Sequence, residues 1–296
     1  MAERIAPRIV RFISARTAPA GGTVSNKIAP EDFSPRSNRL VVLIHGYNVN
    51  QPNGEASYNA FSQLLQTHKV SELSVLGEVI GFLWPGDVNI KFIAGLFYPA
   101  KMQAARDSAA RLAEFLVSLR GPNGVPMQIM LVAHSLGNRV SLEMMTDLPA
   151  QPNQAWGRME GYCLMAAAVV VGDVQNKGRL NSAARSLRTR ALFSEADKVL
   201  HWAFPPGETA AGAGFFPQAV GRFGNPVAIW NDRFDLQPYD HGNYFPGLQT
   251  RTGVDDRSAQ YVAQFLGASI PLPRASNQIT ANSLPPENSI PSRPIG

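Results

Sequence analysis

The stretch "LVAHSLGNRV" (Leu131–Val140) decides the predicted fold. A run of apolar residues, typical of a buried strand, ends at His134, and a helical pattern begins directly after it at Gly137. The chain therefore turns sharply at Ser135. Small residues at such a corner have a packing explanation, because they fit tight turns. They also have a chemical one, because the corner would hold the Ser135 hydroxyl out as a nucleophile.

Strand-like and helix-like segments alternate over most of the chain. This order predicts an α/β fold, in which a mostly parallel sheet carries helices on both faces. The predicted strands are Ile9–Ser14, Arg39–Gly46, Val79–Gly86, Met127–Ser135, Gly161–Val169, Ala191–Asp197 and Pro226–Asp232. The predicted helices are Ala56–His68, Ala104–Gly121, Gly137–Leu148 and Asp255–Gly267. Gly121 and Gly267 are the expected C-terminal caps of the second and fourth helices.

Three regions break this alternation. Residues 87–103 and 201–225 are rich in aromatic residues, glycine and proline, and they are too apolar for plain surface loops, so we expect them to cover a pocket. Residues 268–296 are proline-rich and show no strand or helix period, which predicts an extended or disordered tail. The chain thus divides into an N-terminal strand and extension over 1–38, a main domain over 39–267, and the tail.

The composition narrows the class of protein. The chain has 296 residues, of which 45% are hydrophobic, and a net charge of +5 that is scattered, so no nucleic-acid surface is expected. The single cysteine, Cys163, lies in an apolar run and is expected to be buried and inert. No apolar run approaches the ~18 residues of a membrane span. Arginines interrupt the apolar stretches of the N-terminus, which does not resemble a signal peptide, so we expect a cytoplasmic protein.

A serine nucleophile needs a base to remove its proton and a third group to hold that base. The sequence offers five histidines. We favour His241 as the base, because "YDHGNYF" forms a loop shortly before the last amphipathic helix. The other four sit in strand-end motifs, on a surface helix or beside the candidate acid. They are His45, His134, His68 and His201.

The expected third group is Asp197. It ends the strand-like run "ALFSEAD", so its carboxylate would emerge at the sheet edge where Ser135 emerges. Neighbouring Glu195 is read as a solvated residue. Other carboxylates compete with Asp197 for this role, namely Asp232, Asp235 and Asp240. The resulting order of Ser135, Asp197 and His241 is nucleophile, acid, histidine.

A second strand-end motif, "LIHGYNVN", suggests where an oxyanion would be held. An anionic tetrahedral intermediate needs fixed backbone N–H groups, and losing one such donor typically costs ~3 kcal/mol. Gly46 permits a bend that would turn the following amide toward Ser135. We therefore expect the donors to be the N–H groups of Tyr47 and Leu136. An ordinary strand-to-loop turn is the alternative.

These motifs together resemble the alpha/beta-hydrolase superfamily over about residues 39–267, and within it a little-characterised bacterial branch. The similar features are "LIHGYN", the pair Trp84-Pro85, "AHSLGN", "SEADKVL" and "HGNYF". Ala133 replaces the usual glycine, and the proline-rich tail is a second departure. The resemblance implies an eight-stranded, mostly parallel sheet, esterase- or lipase-like acyl chemistry, and no metal ion or organic cofactor.

We therefore expect a serine hydrolase that cleaves carboxylic esters, with a small-molecule or lipid-like ester as substrate. Apolar residues are expected to line or cover its acyl site, although any one of them could equally be a core residue. They are Trp84, Phe97, Tyr98, Trp202, Phe215 and Phe216. Thioesterase, amidase, transacylase and phospholipase activities stay open, as does a non-catalytic interaction protein. The sequence leaves the oligomeric state undetermined.

Overall fold

The computed structural model describes residues 10–68, 77–88, 98–148, 157–245 and 255–267. Within these ranges the chain forms one eight-stranded sheet in the order β2-β1-β4-β3-β5-β6-β7-β8. The strands are β1 (Arg11–Arg16), β2 (Val24–Ala29), β3 (Arg39–Ile44), β4 (Glu78–Leu83), β5 (Met127–His134), β6 (Gly157–Met165), β7 (Arg188–Phe193) and β8 (Asp232–Asp235). Neighbouring strands are parallel except β1 and β2. The predicted fold class is confirmed.

Helices cover both faces of this sheet. Gly161 of β6 packs under Phe265, whereas the hydroxyl of the next residue, Tyr162, donates to Asn138 Oδ1. Successive strand residues point to opposite faces, so the helices that carry Phe265 and Asn138 lie on opposite sides. The α-helices are α1 (Gln51–Thr67), α2 (Tyr98–Ser118), α3 (Gly137–Asp147), α4 (Val171–Val174), α5 (Asn181–Arg185), α6 (Phe204–Ala210), α7 (Val220–Phe223) and α8 (Arg257–Phe265). A π-helical turn (Val199–Ala203) and two 3₁₀ turns (Pro122–Gly124 and His241–Asn243) complete the elements.

The central strands are buried on both faces, as their unbroken apolar sequences predict. Residues 40–44 of β3 and residues 129–133 of β5 have no exposed surface. Cys163 of β6 is equally buried, as expected, and burial raises the pKa of its thiol to about 12. Because β3 to β8 run parallel in the central sheet, the turns after β3, β5, β7 and β8 meet at one edge.

Some predicted boundaries are wrong. Helix α1 begins at Gln51 rather than Ala56, because Asn50 caps it by accepting a hydrogen bond from the Asn53 N–H. Helix α2 begins at Tyr98, inside the predicted loop 87–103, and ends at Ser118, so Gly121 does not cap it.

Three further differences concern the two edge strands of the sheet, β2 and β8, and the second predicted loop. The polar edge strand β2 has no apolar run and escaped prediction. The last strand is Asp232–Asp235, because residues 226–230 form a turn that Ile229 N–H closes onto the Pro226 carbonyl. The predicted loop 201–225 contains α6 and α7. Gly267, by contrast, has the positive φ (96°) expected of a helix-ending glycine.

Candidate active site

The turn after β5 holds Ser135 in a strained conformation. Its φ is +54°, a region that residues with a side chain seldom adopt. The Ser135 N–H donates to the Met165 carbonyl (3.0 Å), which ties the turn to β6. Gly137 is required by close approach, because a Cβ there would lie 2.4 Å from the His45 carbonyl oxygen. The end of β3 therefore packs directly against the start of α3.

Asn138 clamps this turn from the core side. Its Nδ2 donates to the carbonyls of Ser135 (2.9 Å) and Met165 (3.1 Å), and its Oδ1 accepts from the Tyr162 hydroxyl (2.7 Å). Sequence motifs gave Asn138 no role, although it ends "AHSLGN". An asparagine in a first helical turn, three residues after a candidate nucleophile, is the signal that points to it, because such side chains often bond nearby backbone.

Asp197 follows β7 at the same edge of the sheet and has no exposed surface. Its Oδ1 accepts the Leu200 N–H (2.9 Å), so one carboxylate oxygen is held by the chain itself. Its Oδ2 lies 2.7 Å from His241 Nδ1. A buried carboxylate with both oxygens partnered is fixed in position and stays an acceptor for the imidazole.

His241 joins the other two candidate residues. Its Nε2 lies 2.8 Å from Ser135 Oγ, while its Nδ1 faces Asp197. A carboxylate only accepts hydrogen bonds, so Nδ1 carries the proton and Nε2 is free to accept the Ser135 hydroxyl. The structure thus places Ser135, His241 and Asp197 in one hydrogen-bonded chain, drawn from three separate turns.

The rival carboxylates contact other groups. Asp232 pairs with Arg190, and the Asp235 carboxylate accepts the Gln237 N–H. Asp240 does not reach the imidazole ring, but its Oδ1 accepts the N–H groups of His241 (2.8 Å) and Lys198 (3.1 Å). Asp240 therefore fastens the histidine loop to the turn that carries Asp197, a positioning role that sequence order did not suggest.

Two other histidines lie at the same edge and are held neutral. His45 Nδ1 donates to the Gly46 carbonyl, and His134 Nε2 donates to the His241 carbonyl, both at 2.9 Å. Burial lowers the pKa of His45 to about 4, and burial together with the nearby His241 lowers the pKa of His134 to about 3. The His134 ring lies 4.9 Å from the His241 ring.

The remaining histidines are engaged elsewhere. His68 Nε2 lies 2.9 Å from the Asp256 carboxylate, and the His201 ring packs on Trp202. Neither contacts Ser135 through a hydrogen bond in the structure as described.

The turn after β3 abuts the Ser135 side chain. A Cβ on Gly46 would lie 2.5 Å from Ser135 Cβ and 3.1 Å from its Oγ, so the peptide that links Gly46 to Tyr47 borders the candidate nucleophile. Leu136 directly follows Ser135 and starts α3, with its N–H among the first of that helix. Leu136 thus neighbours Ser135 in the chain, and Gly46, which precedes Tyr47, packs against the Ser135 side chain.

Residues 25–204 match the model of one protein family, described as "Alpha/beta hydrolase of unknown function (DUF900)". The chain belongs to this alpha/beta-hydrolase family. No curated protein matches it.

Solved structures resemble the hydrolase at low identity. A putative hydrolase from Agrobacterium vitis is 12% identical, with 79% of this chain and 91% of that one covered and a TM-score of 0.44. Acyl-protein thioesterase 2 from Zea mays is 15% identical (80% and 96% covered, TM-score 0.39). An esterase from Rhizomucor miehei is 8% identical (81% and 77% covered, TM-score 0.41).

The aromatic residues expected to line an acyl site differ in their exposure to solvent. Trp84 has no exposed surface, and its Nε1 donates to the His45 carbonyl (2.8 Å), so it is a core residue beneath the site rather than a wall that a ligand could touch. Trp202, Phe215 and Phe216 are the opposite, since they are 72%, 88% and 59% exposed. Phe97 lies outside the described residues, and Tyr98 begins α2.

Two further findings concern the described ranges as a whole. No group of three or more histidine, cysteine, aspartate or glutamate side chains has a metal-binding arrangement there. None of the helices in those ranges combines the length and the apolar run that crossing a bilayer requires.

Proposed function

We propose that this hydrolase cleaves carboxylic esters through Ser135, His241 and Asp197. The observation that carries the proposal is the continuous hydrogen-bonded chain from Ser135 Oγ (2.8 Å) through His241 to Asp197 (2.7 Å). A base in hydrogen-bond contact with a hydroxyl, itself oriented by a buried carboxylate, is the arrangement that activates a serine.

In the proposed reaction, Ser135 Oγ attacks the ester carbonyl carbon while its proton passes to His241 Nε2. Asp197 stabilises the imidazolium that forms and keeps its Nδ1 proton in place. His241 then returns the proton to the departing alkoxide, which leaves as an alcohol. Water, deprotonated by the same imidazole, attacks the acyl-enzyme and releases the carboxylic acid.

The N–H groups of Tyr47 and Leu136 are the proposed oxyanion donors. What supports them is the packing of Gly46 on the Ser135 side chain and the position of Leu136 at the start of α3. Donors fixed before the reaction need no reorganisation as charge develops, and removing one slows such enzymes by about 10²–10³-fold.

The test uses fluorophosphonate labelling and hydrolysis of p-nitrophenyl acetate and butyrate. Wild-type protein should label and turn over, whereas Ser135→Ala should do neither. Ser108→Ala is the matched control, because Ser108 on α2 is also buried and its Oγ has no hydrogen-bond partner among the described residues. Equal ester hydrolysis by wild type and Ser135→Ala would show that the proposal is wrong. Parallel assays with a p-nitrothiophenyl ester and a p-nitroanilide decide the leaving group.

A further inference from the structure

Exposed apolar side chains of the hydrolase concentrate on one segment. Among the described residues, the large apolar side chains that are exposed are Val125, Val199, Trp202, Phe215 and Phe216. The last four lie within 18 residues of chain that begin directly after the Asp197 turn. We call these four residues the aromatic patch. Protruding apolar groups gathered in this way mark interaction surfaces.

The aromatic patch is carried by a firmly packed scaffold. Leu200 and Phe204 are 1% and 3% exposed and anchor the π-helical turn and α6 in the core. Trp202 stands just before α6, and the Phe216 N–H donates to Thr209 Oγ1 (3.0 Å) on the last turn of α6, so both ends of this helix present exposed aromatics. Seven helical residues span about 10 Å, which sets the separation of the two ends. Trp202 is therefore held between two buried residues, whereas Phe215 and Phe216 lie in the exposed segment 210–216 and are tied to α6 by the Thr209 hydrogen bond.

Within the segment that carries the patch the exposed charged side chains are basic, whereas the exposed Glu195 lies just before it. From Lys198 to Asn231 the sequence contains one carboxylate, Glu208, and it is 1% exposed. Lys198 is exposed and Arg222 is half-buried in the same stretch, and the whole chain carries +5. A partner that covers this segment therefore meets the basic side chains of Lys198 and Arg222, which favours an anionic surface.

We propose that the aromatic patch docks the hydrolase on an anionic lipid surface. Rings that are 72% and 88% exposed protrude from the protein, and protruding rings insert into a soft interface, whereas a protein partner would have to supply matching hollows. Tryptophan and phenylalanine also partition well into the headgroup region of bilayers, where flanking basic groups face anionic lipid.

Docking would bring the site to the interface. Trp202 follows the buried Asp197 by five residues, and the Leu200 N–H between them is bonded to the Asp197 carboxylate. An ester presented by the lipid surface would thus meet the sheet edge that carries Ser135. This consequence rests on the proposed function, whereas the docking itself does not.

The experiment measures co-sedimentation of the full chain with two kinds of vesicle. One contains phosphatidylcholine alone, and the other also contains phosphatidylglycerol at about one anionic lipid in three. Wild type should bind the anionic vesicles at least about tenfold more tightly than the neutral ones, with the affinity falling as salt is added. Ser135→Ala should bind as wild type does, even if the proposed ester chemistry fails. This arm separates the two proposals.

Variants then test the patch. Combined Trp202→Ser, Phe215→Ser and Phe216→Ser should weaken anionic-vesicle binding at least about tenfold, and Phe215→Ser alone should weaken it less. Val125→Ser is the matched control, because Val125 is also exposed (44%) but precedes β5, at the sheet edge opposite Ser135. It should leave binding unchanged. Circular dichroism melting confirms that each variant is folded.

Three outcomes would overturn the docking proposal. They are failure of wild type to bind either vesicle, equal binding of wild type and the triple variant, and equal binding to neutral and anionic vesicles. Concentration-dependent dimerisation that the triple variant abolishes, without vesicle binding, would assign the patch to a contact between two copies instead.

Discussion

The turns after β5 and after β7 lie at the same edge of the sheet, but they differ in how much of their side chains is exposed to solvent. The turn after β5 buries residues 135–142 almost completely, and its Ser135 carbonyl accepts a hydrogen bond from the Asn138 side chain. The turn after β7 buries Asp197 and then raises Trp202 to 72% exposure. The turn after β5 is therefore enclosed by packed protein, whereas the turn after β7 has one buried and one solvent-exposed side.

This contrast indicates that the candidate catalytic residues and the exposed aromatic patch can be changed independently of each other. Asp197 and Leu200 face inward, and the aromatic patch faces outward from the same few residues of chain. Changes on the inward side should therefore appear in turnover and stability, whereas changes on the outward side should appear in association. Substitutions on the two sides should therefore give different readouts.

The largest effect is expected from Asp197→Asn. The amide cannot hold the His241 tautomer as the carboxylate does, so kcat should fall about 10³–10⁴-fold. Binding of the same variant to anionic vesicles should stay at the wild-type level. Asp240→Asn is the control, because Asp240 bonds the backbone and not the ring of His241, and its loss should be under about tenfold. Equal losses in the two variants would contradict the assignment of Asp197 as the acid.

The second effect concerns the tight contact at Gly137. A methyl group there would lie 2.4 Å from the His45 carbonyl, so Gly137→Ala should lower the free energy of unfolding by about 3 kcal/mol in urea titrations. Gly172→Ala, where the added methyl meets a side chain at 3.8 Å, should change it by less than about 1 kcal/mol. A tolerant Gly137 would mean that the turn after β5 is less constrained than its packing indicates.

The Asn138 clamp gives the third effect. Asn138→Ala leaves the Tyr162 hydroxyl and two carbonyls without this partner, and should cost about 2–3 kcal/mol of stability. Tyr162→Phe removes the hydrogen bonds of one hydroxyl to Asn138 and should cost about 1 kcal/mol. A drop in fluorophosphonate labelling rate for folded Asn138→Ala, with none for Tyr162→Phe, would show that the clamp positions Ser135 as well as stabilising the fold.

The smallest effect is a pH dependence. The pKa of His134 is lowered to about 3 in the folded protein, so below its ordinary value of about 6.5 the unfolded chain takes up a proton that the folded chain does not. The stability linked to this histidine is present above pH 6.5 and is lost as pH falls toward 3. His134→Gln should therefore lose roughly 1–2 kcal/mol less between pH 7 and 5 than wild type does. Parallel unfolding curves of the two proteins over that range would contradict this account.

Sequence patterning predicted the parts of the fold that local chemistry controls. Unbroken apolar runs marked β3 and β5, because strands buried on both faces need them. The ends of predicted strands marked Ser135 and Asp197, and the loop before the last helix marked His241; the structure brings the three together. The polar edge strand β2 and the start of α1 were missed, because an edge strand needs no apolar run and a capping asparagine is a weak signal.

Local patterns in the sequence predict the parallel sheet and the sheet edge at which the polar residues that follow its strands lie. They can do so because strand periodicity and turn residues depend only on neighbouring positions in the chain. Only the tertiary structure decided that Trp84 is core while Trp202 faces solvent, that Asn138 and Asp240 hold the site, and that His45 and His134 stay neutral. Burial and charge depend on groups distant in the chain, and those groups meet only after folding.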